Sequence, residues 1–397
     1  MAVQIVKPRI RGFICTNAHP VGCQTNVQNQ IQQIKENAPI KETGLNALVV
    51  GASTGYGLAS RIALTWGYGA KTLGLLYERP ADERRTASAG YYNTVAFHQN
   101  AQQDGFLAES LNGDAFSDDV KQDAIAQLKA NFGKIGILVY SIAAPRRTHP
   151  RTGETHNSEL KPIGEPYTGK TIDLSNEVVA PVTIEPATDK EIADTIAVMG
   201  GEDLEMWVDA LADAELLAPK VTVVAYTYIG SSLTWSIYKD GTIGKAKDDL
   251  KTRVDALDER LSNQFGGNAY ISVNKAVVTQ ASAAIPVVPL YISILYDIMN
   301  AKGINEAPIG QMQRLFSEHL GPELTPQLDS DRYIRLDDRE LRQDITDAVT
   351  ERWEKIDTDN FHELSDYADY RRRFRNLFGF EVEGVDYDEA VETEVTF

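Results

Sequence analysis

Asn46–Trp66, NALVVGASTGYGLASRIALTW, joins an apolar run to a glycine-rich turn and then to a segment of helical composition. Asn46–Val50 reads as a strand buried on both faces, and Leu58–Trp66 as the helix that follows. Strand, glycine turn and helix in that order are the context of a dinucleotide fingerprint, in which backbone N–H groups at a helix start approach a pyrophosphate. The turn nominates Gly51, Ser53, Gly55, Tyr56 and Gly57 as cofactor contacts. A tight strand-to-helix connection with no ligand is the alternative.

Further along, Lys71–Tyr77 reads as the second strand and ends on Glu78. A carboxylate at that point of a dinucleotide fold bonds the adenosine ribose hydroxyls of NAD. Arg79, Arg84 and Arg85 follow and could accept a 2′-phosphate instead, but Glu78 comes first, so NADH is the expected cofactor. Asn93–Phe97 and Phe106–Leu111 read as short strands. Asp114, after the Asn112-Gly113 turn, either meets an adenine amino group or caps a turn or helix.

Ile135–Ile142 is the clearest central strand and runs through Ala143 into Arg146, Arg147, His149 and Arg151. In an acidic chain these side chains can supply cations to a pyrophosphate or a phosphorylated substrate, or they can simply be solvated. Residues 145–189, rich in Pro, Gly and Thr, read as an insertion near a substrate cleft. Helical stretches Asp189–Met199 and Glu202–Leu217 return the chain to a buried strand at Val221–Ala225. Tyr226, Tyr228 and Tyr238 crowd the exit from it, and beyond Gly241 and Gly244 a helix is expected from Lys245 to about Leu261.

The alternation of strands and helices predicts an α/β fold: a Rossmann-like, doubly wound parallel sheet with helices on both faces, forming one large domain over 1–397. An N-terminal prelude over 1–44 would hold a hairpin in IVKPRIRGFICTNAHPVG and a short helix at Val27–Lys35. A helical extension is expected over 300–397.

Composition narrows the class of function. The formal net charge of −18 argues against a nucleic-acid partner bound by a basic face. Cys15 and Cys23 are the only cysteines, too few for a disulfide scaffold or a zinc site, and suit reduced thiols in a cytoplasmic protein. The amino terminus lacks the apolar stretch of a signal peptide. Ala276–Tyr296 is uncharged and long enough to cross a bilayer, but Gln280, Pro286 and Pro289 argue against stable membrane insertion. No metal site is expected.

The turn GASTGYG, the strand end YERP, the runs LVYSIAAPRRTHPRTGE and YIGSSLTWSIYKDGTIGKAK, and VVTQASAAIPVVPLY together resemble the FabV-type enoyl-ACP reductase and trans-2-enoyl-CoA reductase family. The resemblance runs from IVKPRIRGFI to GFEVEGVDYDEAV. It implies an enlarged short-chain dehydrogenase, monomeric, that reduces the 2,3-double bond of enoyl-CoA or enoyl-ACP in fatty acid synthesis. It also implies that the family's catalytic tyrosine and lysine fall on Tyr238 and Lys247.

The spacing can be examined on its own terms. On one continuous helix, nine steps of about 100° would put these two side chains on opposite faces. A loop through Gly241 and Gly244 removes the conflict by carrying Tyr238 while Lys247 occupies the first helical turns. Lys245, two residues earlier, faces nearly the other way.

In that reading Tyr238 stabilises the enolate oxygen and Lys247 bonds the nicotinamide ribose. Tyr228 is either a second hydroxyl donor, part of a proton route, or packing. Thr279, taken as the end of the strand from Tyr270, would meet the nicotinamide amide together with Ala143. Ile285–Tyr296 would line the acyl channel. The alternatives are a short-chain-type ketone or alcohol dehydrogenase and a non-catalytic dinucleotide-binding regulator.

Overall fold

The structure, a computed structural model, describes residues 3–37, 43–174, 176–321 and 324–397. Positions 38–42 of the N-terminal prelude lie outside the described residues.

Seven strands form one parallel sheet: β1 (Asn46–Val50), β2 (Lys71–Leu76), β3 (Ala108–Asn112), β4 (Ile135–Tyr140), β5 (Leu217–Thr227), β6 (Asn268–Val273) and β7 (Tyr333–Arg335). Their order across the sheet is β3-β2-β1-β4-β5-β6-β7, so the direction of winding reverses between β1 and β4. Register aligns the carboxyl ends. Val50 and Ala225 both lie opposite Tyr140, and Ala225 lies opposite Ile271. The residues leaving four strands therefore meet in one row, at the place where open α/β sheets bind ligands.

Helices cover both faces. On one side lie α1 (Pro20–Asn37), α2 (Gly55–Tyr68) and α3 (Ala89–Gln103). On the other lie α4 (Asp118–Gln127), α5 (Asp189–Met199), α6 (Glu202–Asp213) and α7 (Thr242–Phe265). The strands are apolar on both faces because both are covered: Leu138 and Val139, neighbours in β4 that point to opposite faces, are each fully buried, Leu138 contributing about 1.5–3 kcal/mol.

Beyond β6 come α8 (Gln280–Ala283), α9 (Val288–Ala301) and α10 (Pro308–Arg314), and after β7 come α11 (Gln343–Lys355), α12 (Phe361–Leu364) and α13 (Tyr367–Asn376). α9 is buried along most of its length against α11 and α13. Among the described residues no helix is long and apolar enough to cross a membrane.

Several local readings are corrected. Asn93–Phe97 is not a strand but lies inside α3, where Tyr92, Val95, Ala96 and Phe97 are buried. A five-residue apolar and aromatic run has no period long enough to separate strand from helix. β6 stops at Val273, so Thr279 does not end a strand but caps α8. The prelude helix is longer than expected, starting at Pro20, and its hairpin is reduced to Ile10–Arg11 against Ile14–Cys15.

Residues 300–397 are not helical throughout, since β7 completes the sheet and Val391–Glu392 pairs with Val3–Gln4. Residues 145–189 form two hairpins, Arg146–Thr148 with Thr155–Asn157 and Tyr167–Asp173 with Val178–Ile184. The second hairpin is tied down by Lys170 Nζ, which donates to the carbonyls of Trp353, Glu354 and Ile356 at the end of α11, where a cation complements the helix dipole.

Candidate active site

Two glycines bring the carboxyl ends of β1 and β4 into backbone contact. A Cβ on Gly51 would lie 2.2 Å from the Ser141 carbonyl oxygen, and one on Gly57 would lie 1.9 Å from the Gly51 oxygen. The chain's own packing excludes side chains there. Gly55 differs: at φ +52° it has nothing within 4 Å of a Cβ position, so its backbone faces open space at the start of α2. That arrangement leaves helix N–H groups accessible to an anion.

Glu78 stands beside this turn. Its Oε1 accepts from Ser53 Oγ at 2.7 Å and its Oε2 from Ser88 Oγ at 2.5 Å, while Asn112 brackets its backbone N–H and carbonyl. Gly90 makes room for the carboxylate, which a Cβ there would meet at 2.0 Å. Of the nearby arginines, Arg79 donates to the Thr86 carbonyl and Arg85 pairs with Asp82, whereas the exposed Arg84 side chain makes no such bond. Asp114 accepts from the Phe116 N–H in a turn of its own loop.

Two members of the basic run after β4, Arg147 and His149, are committed elsewhere. Arg147 is 1% exposed and its guanidinium bonds Glu202 and the Ala197 carbonyl, each at 2.7 Å. His149 lies 3.4 Å from the same carboxylate. A buried guanidinium must be paired, and this one is spent anchoring the first hairpin. Arg146 and Arg151 are exposed.

A cavity of about 220 Å³ opens where β4, β5 and β6 end, lined by Tyr56, Ala143, Tyr228, Tyr238, Lys247 and Thr279, with Ile285, Val288 and Ile292 as its apolar wall. Tyr238 precedes α7 in a compact turn. Gly241 caps that helix, and Gly244 lies within its first turn rather than before it. A Cβ on Gly244 would fall 1.7 Å from the Lys239 oxygen, so the absence of a side chain lets the turn fold back and bring Tyr238 to the wall that Lys247 shares. The insertion braces this start: Thr242 donates to Glu159 and receives the Lys161 N–H at 3.2 Å.

Among the described residues neither the Tyr238 hydroxyl nor the Lys247 ammonium has a hydrogen-bond partner in the protein. Burial pushes the Tyr238 phenol up to about 12 and the Lys247 amine down to about 8. Lys245 points to solvent and pairs with Asp248. Thr279 and Ser282 exchange side-chain-to-backbone bonds as a capping box, leaving the Thr279 hydroxyl hydrogen available.

Tyr296 is not part of the cavity lining. Its hydroxyl is held at the Val278 N–H and its ring lies under Lys275 Nζ, so it backs the wall instead of facing the acyl space. A larger cleft of about 920 Å³ shares Thr227, Tyr228 and Lys247 with the cavity and extends past Trp235 and Lys239.

Two side chains of this site escaped the sequence reading. Lys275, 1% exposed, donates to the Ala276 carbonyl, and burial lowers it to about 7. Glu340, also 1% exposed, accepts from Tyr228, Tyr291 and the Ala276 N–H. Lys275 follows a buried strand and carried a weak signal. Glu340 sits in the charged run Asp337–Glu340, and only the tertiary fold reveals its burial.

Three family descriptions match in succession: "NAD(P)H binding domain of trans-2-enoyl-CoA reductase" over 5–83, "Trans-2-enoyl-CoA reductase catalytic region" over 85–320 and "Enoyl reductase FAD binding domain" over 328–391. The chain is 52% identical over 391 residues to the enoyl-[acyl-carrier-protein] reductase [NADH] of Opitutus terrae, covering 98% of this chain and 99% of that one. It is 51% identical to the trans-2-enoyl-CoA reductase [NADH] of Ruminiclostridium cellulolyticum, covering 98% of each. The crystal structure of Clostridium acetobutulicum trans-2-enoyl-CoA reductase in complex with NADH superimposes with a TM-score of 0.95 at 42% identity, covering 98% of each chain.

The residues present fit a dinucleotide at the glycine turn, where helix N–H groups face open space. They do not fit a flavin over 328–391. That region has no strand–glycine–helix cradle, its Tyr370, Phe374 and Phe380 are buried as packing, and Arg335 is spent on Asp337 and Asp329.

Proposed function

The chain belongs to the trans-2-enoyl-CoA reductase family, and from that premise we propose that Tyr238, Lys247 and the glycine turn carry out an NADH-dependent reduction of the 2,3-double bond of trans-2-enoyl thioesters. The protein is an oxidoreductase acting on enoyl-CoA or enoyl-ACP, a step of fatty acid synthesis. The observation that carries the site assignment is the pair of unpartnered polar groups, the Tyr238 hydroxyl and the Lys247 ammonium, on one wall of the cavity at the strand ends. Half-buried polar groups that share a cavity wall and have no partner in the protein are open to a ligand.

Bound at the turn, the dinucleotide supplies a hydride to the β-carbon. Tyr238, kept protonated by burial, donates to the thioester oxygen as negative charge develops there. Lys247 bonds the nicotinamide ribose and holds a positive charge beside the phenol. Glu78 accepts the adenosine ribose hydroxyls. Gly51, Ser53, Gly55, Tyr56 and Gly57 shape the pyrophosphate seat, with Asp114 toward the adenine. Ala143 and Thr279 border the nicotinamide, and Ile285 with its apolar neighbours takes the acyl chain.

The larger cleft is the route by which the carrier arm reaches the cavity. The protein is read as a cytoplasmic monomer, consistent with its two free, buried cysteines. Gel filtration at working concentration tests the monomer.

The decisive assay follows NADH absorbance on adding crotonyl-CoA or crotonyl-ACP. Consumption with either supports the reading. No consumption with both, or faster consumption with a simple ketone, would sink it.

A further inference from the structure

Glu340 is a fully buried carboxylate that reaches the cavity-lining Tyr228, and it comes from the loop after β7, far from the rest of the site. Its Oε1 accepts from Tyr228 Oη at 3.0 Å and from Tyr291 Oη at 2.7 Å, and its Oε2 accepts from the Ala276 N–H at 2.6 Å. Three donors and no acceptor surround it, which is the environment of an ionised carboxylate. Lys275 supplies the compensating charge from the other side of the same residue: its Nζ donates to the Ala276 carbonyl at 2.7 Å while the Ala276 N–H goes to Glu340.

Donor counting fixes what Tyr228 can do. A phenol has one hydrogen, which stays near the ring plane and has two positions. In this structure it is spent on Glu340, so Tyr228 offers only lone pairs to the cavity it lines. It cannot donate to a thioester oxygen in that state. A proton on Oε1 of Glu340 reverses this. The carboxyl then donates to the Tyr228 oxygen, and the phenol hydrogen turns to the cavity, where the Tyr238 ring lies edge-on at 5.0 Å.

We propose that Glu340 is a positioning residue that sets the direction of the Tyr228 hydroxyl: as a carboxylate it draws the hydrogen out of the cavity, and as a carboxyl it returns it as a second donor to the thioester oxygen. No bond to substrate is made or broken by Glu340 itself. The proposal rests on the enoyl reductase reading and adds to it a residue from the C-terminal region. The groups that bear on Glu340 are Tyr228, Tyr291, Lys275, Asp337 on its own loop, Tyr56 and Tyr296, with Arg373 and Glu306 acting on Lys275. Burial raises Glu340 above the usual carboxylate range, while Lys275 opposes that rise. Turnover therefore falls as rising pH ionises Glu340.

Glu340→Gln isolates the effect. The Ala276 N–H requires an acceptor, so the amide oxygen takes that side and the amide nitrogen faces Tyr228 and Tyr291. The Tyr228 hydrogen then points to the cavity at every pH, while that of Tyr291 turns away from residue 340. The measurement is kcat/KM for crotonyl-CoA across the whole pH range in which the enzyme stays folded, in the unaltered enzyme, in Glu340→Gln and in Tyr228→Phe, with NADH affinity by fluorescence as the control for folding. The unaltered enzyme should lose roughly 3- to 10-fold on its Glu340 limb, the worth of one neutral hydrogen bond. Both variants should lack that limb and keep only the pH dependence that Lys247 and Lys275 impose on all three enzymes, with Glu340→Gln at the higher level and Tyr228→Phe at the lower. A profile in either variant that keeps the full pH dependence of the unaltered enzyme overturns the proposal. Should the unaltered enzyme fail to turn over crotonyl-CoA and crotonyl-ACP, it is the functional reading that falls, and Tyr228→Phe then has no rate to change.

Discussion

At the glycine-turn end of the groove, Glu78 has both oxygens taken by serines, Asn112 holds its backbone, and Gly51 and Gly57 are fixed by contacts with neighbouring backbone. At the Tyr238 end, the phenol and the Lys247 ammonium face a cavity without a partner. At the first end the side chains are already satisfied, and only the backbone at Gly55 stays open to a ligand. At the second, two polar side chains are themselves open to a ligand. Substitutions should therefore act differently at the two ends: on rate at the second, on affinity and stability at the first.

The sharpest break of that contrast is at Tyr238. Tyr238→Phe removes the donor with little change of shape, so kcat should fall by about 10² to 10⁴-fold while NADH binding survives. Stopped-flow turnover beside an NADH titration reads both. Near-normal turnover would move the donor to another hydroxyl and erase the distinction between the ends.

Lys247 comes next. Lys247→Met should cost about 10²-fold in kcat/KM, and Lys245→Met, at a side chain in solvent, no more than about twofold. The same substitution should stabilise the ligand-free protein. With a folded value of about 8 against an unfolded value of about 10.4, the unfolded chain binds the extra proton between those pH values. Stability of the unaltered protein must rise with pH across that window, and the charged form costs up to about 3 kcal/mol below it. Thermal melts at pH 7 and pH 10 test this: Lys247→Met should melt higher at pH 7 and should flatten the rise. Unchanged melting would mean that Lys247 already has a partner.

How far the site could be read in advance follows from the same contrast. The glycine-turn end is assembled from Asn46–Trp66 and Lys71–Glu78, two stretches adjacent in sequence, so local pattern located Gly51, Gly55 and Glu78 and the sheet that carries them. Tyr238 and Lys247 rested on a motif, with helix geometry to test it. Glu340 gave no local signal, because its burial arises from α9 and the loop after β6 closing over it. Arg147 misled for the mirror reason: a cation near a strand end looks like an anion site until Glu202, from α6, is seen to take it. The strand misreading at Asn93–Phe97 has yet another cause, a run too short for its period to be decided.

At the glycine-turn end the larger test is cofactor choice. A 2′-phosphate near Glu78 adds about 1.5 to 2 negative charges, which at 4 Å and an effective dielectric near 20 repel by several kcal/mol. Arg84 offsets part of it, since Arg79 and Arg85 are committed to their own loop. NADH should be preferred over NADPH by about 10- to 10²-fold in kcat/KM, and Glu78→Ser should narrow that gap chiefly through KM. Equal use of both cofactors by the unaltered enzyme would mean that Glu78 faces away from the ribose.

The smallest expected effect separates a ligand-binding turn from a merely tight one. Gly57→Ala would press a methyl into the Gly51 oxygen and should cost several kcal/mol of stability whether or not anything binds there. Gly55→Ala meets no atom, so its only conformational cost is the positive φ, about 1 kcal/mol. A turn that serves only to connect β1 to α2 would register that small loss in a melt and nothing in KM. A turn whose backbone faces a pyrophosphate would also raise KM for NADH, by roughly 3- to 10-fold, because the new methyl occupies the space through which the helix N–H groups reach the phosphates. The combination of a small stability loss and a rise in KM, with kcat held, is expected only if the open space at Gly55 is the dinucleotide's.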